Sequence, residues 1–199
     1  MKRMPASSLR STVGISLSIL LLSIVSFAQT APKVEFKQIK IKNFGQMDER
    51  FFRGAQPKKI EDYQALAALG IKTVIDLRDD PEDYEKPAVE SLGMRYVNIP
   101  MIGKKYPKAE SVEQFLKLVD NPETGKFFVH CAGGRHRTGA MGAVYRFKHY
   151  GWNFDQVYKE MKDYDFYTSW GHGDFKKFVE DYWQQVQANH AANPTGKAT

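Results

Sequence analysis

The sequence predicts an α/β domain with a central, mainly parallel sheet flanked by helices. Three observations predict it. Apolar runs of strand length, "IKTVIDL", "MRYVNIP" and "KFFVH", alternate with helix-length amphipathic stretches. "KFFVH" is short and apolar throughout, the composition of a strand buried on both faces. The chain then closes with several helical segments in succession, which cover such a sheet.

The elements follow in order. "KVEFKQIKI" (33–41) alternates apolar and polar residues and reads as an edge strand. "FFRGAQP" is a short extended piece ending at Pro57, and Pro57 can start a helix over 58–69 that Gly70 stops. Ile60, Tyr63, Leu66, Ala67 and Leu69 form its buried side. "IKTVIDL" (71–77) is a buried strand. Residues 82–92 read as a helix weakened in its middle by Pro87 and ended by Gly93. "MRYVNIP" (94–100) is the next strand, and 101–109 a basic loop. Ser111 caps a helix through Asp120, with Gln114 at the capping-box position. A turn over 121–125 leads into "KFFVH". Helices follow over 138–150, from an Asn153 cap to about Tyr164, and over 174–188. From Asn189 the tail is polar and expected to be loose.

The first 28 residues are read apart. Lys2, Arg3 and Arg10 precede the apolar run "VGISLSILLLSIV", and Ser26-Phe27-Ala28 supplies small residues for a peptidase. This is the layout of a secretory signal peptide cleaved near Ala28, its apolar core short of the roughly 20 residues that span a bilayer. An exported protein, periplasmic or extracellular and free of the membrane after cleavage, is expected. One domain occupies 33–188, with 189–199 as the tail.

Of 199 residues 42% are hydrophobic and 26% charged, ordinary values for one globular domain. The net charge is +6; cleavage would remove three cations and no acid, leaving a mildly basic protein. No nucleic-acid motif accompanies that charge. The single cysteine excludes an internal disulfide. Five histidines stand without ligand spacing, so no metal and no cofactor is expected.

That lone cysteine sits in "VHCAGGRHRTGAM" (129–141). The segment joins a strand to a helix at a strand's carboxyl end, where ligands bind in such sheets. Gly133 and Gly134 let the backbone curl, so that Ala132, Gly133, Gly134, Arg135 and His136 turn N–H groups inward and, with the helix start, form an anion cradle. Arg137 can grip two phosphate oxygens with one planar fork. The same positive field lowers the pKa of Cys131 and makes it a nucleophile aimed at the bound anion. Thr138 can donate to the sulfur and ease its departure in a second step. His130 either fixes the loop's outer wall or is a packed core histidine.

These residues resemble a known family. "HCAGGRHRTG" matches the H-C-x2-G-x2-R-[ST]-G signature of the cysteine-dependent protein tyrosine and dual-specificity phosphatases. "GRHRTG", preceded upstream by "NIP", is most similar to the atypical dual-specificity branch of plants and fungi that acts on inositol pyrophosphates, and to its bacterial relatives. The resemblance implies Cys131 as nucleophile, Arg137 as phosphate clamp and Thr138 as second-step helper. It implies a phosphorylated small molecule or phosphoprotein as substrate.

One feature departs from the family. The loop that usually carries a general-acid Asp reads "IPMIGKKYPKAES", and it has none. Glu110 there suits a helix first turn. Asp76, Asp79 and Asp80, or His136 in mildly acidic solution, remain as candidate acids, with Asp163 and Asp165 after them. Lys104 and Lys105, with Lys108, are candidate contacts to substrate charge, and otherwise a solvated face. Arg53 reads as a structural ion-pair partner. Tyr164, Phe166, Tyr167 and Trp170 read as packing. A rhodanese-type sulfur transferase and a phosphate-binding module without catalysis are the competing classes.

Overall fold

A computed structural model describes residue 36 and residues 39–192. The signal segment, and 193–199 of the tail, lie outside the described residues. Among the described residues no helix is long and apolar enough to cross a membrane.

Five strands form one sheet in the order β1-β2-β5-β3-β4. They are β1 (Gly45–Gln46), β2 (Phe51–Ala55), β3 (Ile71–Arg78), β4 (Arg95–Met101) and β5 (Lys126–Cys131). Only the β1–β2 pairing is antiparallel; β2–β5, β5–β3 and β3–β4 are parallel. The expected mainly parallel sheet is therefore the observed one. Helices α1 (Ile60–Ala68) and α2 (Glu85–Ser91) belong to one face. On that face Tyr63, Leu66, Val74, Val89 and Phe128 make one core. Helices α3 (Ala109–Asp120), α4 (Arg137–Tyr150), α5 (Phe154–Asp163) and α6 (Gly173–Ala192) cover the other. There Phe51, Phe115, Phe127, Met141, Val144 and Phe175 make the larger core.

Several expectations are corrected. The edge strand expected over 33–41 is absent from the described part of that stretch; the edge is the two-residue β1. Ile41 packs into the smaller core instead, and the following residue gives one main-chain bond, Ala55 N–H to the Lys42 carbonyl at 2.8 Å. The "FFRGA" piece is a fully buried strand between β1 and β5, because Phe51 and Phe52 enter opposite cores. Helix α2 begins only at Glu85, which places Pro87 in the first turn, where its missing N–H costs nothing. Ser111 caps nothing: α3 starts at Ala109, and the Ser111 hydroxyl donates to the Pro100 carbonyl at 3.3 Å. The tail expected to loosen at Asn189 continues as helix to Ala192, since "QQVQANHAA" lacks Gly and Pro. The Asn153 cap holds, with Gln156 completing a capping box.

Candidate active site

β5 ends at Cys131 and α4 begins at Arg137, so the anion loop lies where the sequence put it. Parallel register sets Ala55 beside Cys131 and Gly54 beside His130. The end of β2 thereby becomes a wall of the loop. Gly134 has φ +66°, and a Cβ there would overlap the Gly54 carbonyl. Glycine is required at that position for both reasons.

The loop's carbonyls are tied outward. Asn43 Nδ2 donates to the Gly133 carbonyl at 2.8 Å, and Arg53 Nη2 to the Gly134 carbonyl at 2.7 Å. Peptide planes fixed this way turn their N–H groups toward the sulfur. Arg53 is 1% exposed, and its guanidinium lies 4.0 Å over the Tyr164 ring. No described carboxylate forms an ion pair with it, so the expected ion-pair role is replaced by anchoring the loop from behind.

Cys131 is buried. Burial alone would push its pKa up. The Arg137 charge, the Thr138 hydroxyl and the N–H groups of Thr138 and Gly134 outweigh that, and the thiol's pKa is lowered. The Thr138 hydroxyl is fully buried and bonds no other protein group at ordinary geometry, which leaves it to the sulfur. Arg137 Nη1 donates to Asp79 Oδ1 at 2.7 Å and to the Met101 carbonyl at 3.0 Å. Those partners hold the fork at the loop's mouth.

The candidate acids separate. Asp79 reaches the mouth, through its pairing with Arg137. Asp80 faces solvent and pairs with Arg78, which holds its pKa low. Asp76 is fully buried, and its carboxylate accepts from Tyr96 at 2.8 Å; no substrate reaches it. Asp163 pairs with Lys159, and Asp165 lies 3.5 Å from Arg135. His136 fails as an acid in mildly acidic solution. Burial first, then the stacked His172 ring 3.7 Å away, push its pKa down to about 4. Its Nε2 sits 3.0 Å from the Tyr167 carbonyl, which fixes that nitrogen as the protonated one.

His130 is not on the loop's outer wall. It is buried in the sheet against Glu85 and Asp76, both also fully buried. Nε2 lies 2.8 Å from Glu85 Oε1, out of line for a good hydrogen bond but close enough for strong attraction. Burial opposes a charged ring, yet the two carboxylates prevail and the pKa of His130 is raised. These three side chains are the one ligand-like cluster among the described residues. The raised pKa of His130 favours a protonated ring, whose charge balances these carboxylates.

Lys104 and Lys105 stand on the exposed loop after β4. The cleft beside the anion loop is lined by other cations, Lys40, Lys42, Lys58, Lys59 and Arg135. The signal for these was present in "KQIKIK" and "PKK", basic runs flanking the first extended pieces. Of the aromatic group, Phe166 is core, Tyr167 packs on His136, and Trp170 is exposed.

Comparisons with known proteins agree with this geometry. Residues 24–174 match the family model described as "DSP-PTPase phosphatase fused to NAD+ Kinase". The chain is 31% identical over 127 residues to the putative tyrosine-protein phosphatase OCA1 of Mycosarcoma maydis, covering 60% of this chain and 78% of that one. It is 26% identical over 132 residues to the inositol diphosphatase SIW14 of Saccharomyces cerevisiae, covering 62% of this chain and 46% of the relative. It spans only 10–11% of the plant NAD kinases that it also matches. A cysteine-to-serine TpbA of P. aeruginosa, solved with phosphotyrosine, superposes with TM-score 0.57 at 23% identity, covering 77% of this chain and 91% of that one; at that identity the likeness is one of fold. The family match extends over well more than half the chain and takes in the whole strand–loop–helix unit around Cys131, so this protein belongs to the dual-specificity-type protein tyrosine phosphatases.

Proposed function

We propose that the protein hydrolyses phosphoryl groups through a phosphocysteine intermediate on Cys131. The observation that carries this is a buried thiol with lowered pKa, in a loop whose Gly133 and Gly134 carbonyls are tied from outside by Asn43 and Arg53. The substrate phosphoryl lies in the cradle, with Arg137 across two of its oxygens. The thiolate attacks phosphorus; the S–P bond forms and the bond to the leaving oxygen breaks. Water then attacks the phosphocysteine, phosphate departs, and the sulfur leaves as thiolate with Thr138 donating to it.

The leaving group decides the substrate class. The loop after β4 carries no Asp, and Asp79 is occupied by Arg137. Leaving groups that are stable as anions suffer least from this: a phosphate with pKa about 6, or a phenolate near 10. Phosphoanhydrides, inositol pyrophosphates among them, and aryl phosphates such as phosphotyrosine are the substrates. A relative named inositol diphosphatase and a structural neighbour solved with phosphotyrosine support that pairing. The basic start and apolar run before Ala28 support export of the mature protein, testable by its N-terminal mass.

The test is turnover by the purified protein of an inositol pyrophosphate and of p-nitrophenyl phosphate. Cys131→Ser is expected to lose on the order of 10³-fold or more in kcat while binding inorganic phosphate, because the loop and Arg137 remain. Near wild-type turnover by that variant refutes the covalent route.

A further inference from the structure

Two loops flank Arg137 at the mouth of the site. The loop after β4 starts from Met101, whose carbonyl accepts from Arg137 at 3.0 Å. The loop between α5 and α6 is tied to the anion loop through His136, which lies 3.0 Å from the Tyr167 carbonyl and stacks on His172. The two loops meet: a Cβ on Gly171 would stand 3.5 Å from Lys104 Cδ. Residues 101–109 carry Lys104, Lys105 and Lys108 and no acid, and residues 166–173 carry no acid either. None of the three lysines forms an ion pair with a described residue.

Each loop contains a tight turn with an exposed apolar side chain. Over 169–172 the His172 N–H donates to the Ser169 carbonyl at 3.3 Å, with φ +60° at Trp170 and +84° at Gly171. Over 102–105 the Lys105 N–H donates to the Ile102 carbonyl at 3.4 Å, with φ +63° at Lys104. Left-handed backbone suits glycine and is unfavourable for bulky residues such as tryptophan. Burial does not offset this at Trp170: it is 81% exposed, more than any other large hydrophobic residue among the described ones, and Ile102 is 53% exposed. This combination of side chains selects a partner. Protein interfaces are broad, closely complementary and depleted in lysine. A bilayer surface asks for something else: tryptophan settles at the headgroup level, and lysines are drawn to anionic headgroups.

We propose that this rim docks the mouth of the site on an anionic lipid surface, with Trp170 and Ile102 entering the headgroup layer and Lys104 and Lys105 meeting its charge. The contact is peripheral and reversible, which revises the expectation of a mature protein free of the membrane. The Cys131 loop then faces phosphoryl groups carried at that surface; this consequence alone rests on the phosphatase reading.

The experiment titrates the purified protein with vesicles of phosphatidylglycerol and phosphatidylcholine in equal parts, and of phosphatidylcholine alone, following tryptophan fluorescence. The apolar run over 13–25 holds no tryptophan, and Trp152 and Trp183 are partly buried against the core, so the signal reports Trp170. The mixed vesicles are expected to shift the emission to the blue and, with brominated acyl chains, to quench it. Trp170→Ala is expected to lose both changes. Lys104→Gln with Lys105→Gln is expected to raise the lipid concentration at half-maximal shift roughly tenfold. Lys72→Gln with Lys126→Gln, the same change in charge at the amino ends of β3 and β5, is expected to raise it less than twofold. An unshifted emission with the mixed vesicles overturns the proposal, as does an equal response to phosphatidylcholine alone or an equal effect of the two lysine pairs. The two readings fail separately: a wild-type protein unable to turn over aryl phosphate refutes the phosphatase reading, whereas an unmoved Trp170 signal refutes the docking.

Discussion

Arg53 holds Gly134 from behind: its Nη2 reaches the Gly134 carbonyl at 2.7 Å from the strand next to β5. Arg53→Met keeps most of the volume and removes the donor. The freed carbonyl lets the loop shift, and a shift of about 1 Å is worth roughly 10²-fold in rate. A fall of that order in kcat/KM is expected, with the melting transition still cooperative. Activity within threefold of wild type would show that the loop holds its own shape.

Asp79 bonds Arg137, which gives it two separable roles. If it only orients the guanidinium, Asp79→Asn lowers kcat/KM about equally for aryl phosphates of every leaving-group pKa. That uniform loss, roughly tenfold, is the expected result, on top of a steep fall with rising phenol pKa in the wild type. A loss confined to basic leaving groups, approaching the 10²–10⁴-fold of general acid catalysis, would identify Asp79 as the proton donor.

His136 ties stability to acidity. Its pKa in the fold is lowered to about 4 from 6.5. The unfolded chain therefore takes up the proton first, and the contribution is lost as pH falls from about 6.5 toward 4. The full shift is worth about 3 kcal/mol. Solvent screening at this half-open site reduces it to about 1–2 kcal/mol. Thermal melts of wild type and His136→Gln between pH 4 and 7 measure it; parallel curves would remove the effect.

Glu85 and His130 form the buried counterpart with opposite sign. The pKa of His130 is raised, so its stabilisation is complete below pH 6.5 and disappears as pH rises through the raised value. Glu85→Gln leaves a buried imidazolium short of one partner, a change worth roughly 3–5 kcal/mol. The loss is expected to be largest below pH 6.5 and to shrink in alkaline solution, as read by urea melts. A loss independent of pH would mean that His130 is neutral in the fold. EDTA is expected to leave both turnover and melting unchanged.

The mainly parallel sheet was legible because the strand-length apolar runs at β3, β4 and β5 are separated by helical stretches. Cys131 to Gly139 was legible because a phosphate cradle needs glycine, arginine and a thiol at fixed spacing. What the sequence hid is what depends on contacts between distant segments. Arg53 read as a structural ion-pair partner; only the β2–β5 pairing shows it reaching the loop, 81 positions away. His136 looked titratable, and only its burial, with the His172 ring stacked on it, lowers its pKa to about 4. The lysines of the cleft lie on two segments that meet through the Lys42–Ala55 bond. Asp76, Asp79 and Asp80 were indistinguishable in the sequence; Asp76 lies within β3, buried on both faces, whereas Asp79 and Asp80 lie beyond its end and pair with different arginines.

The ties that hold the loop's carbonyls come from Asn43 and Arg53, at separations of 90 and 81 residues. The loop therefore has no native shape of its own before the chain's first and second halves meet. During folding it is completed late, after the β2–β5 pairing closes, because contacts of long separation form slowly. Afterwards it depends on the same two side-chain bonds, so backbone amides of residues 132–136, turned into the cradle, should exchange with solvent faster than those of β5. Chemical competence and global folding are in this protein a single event.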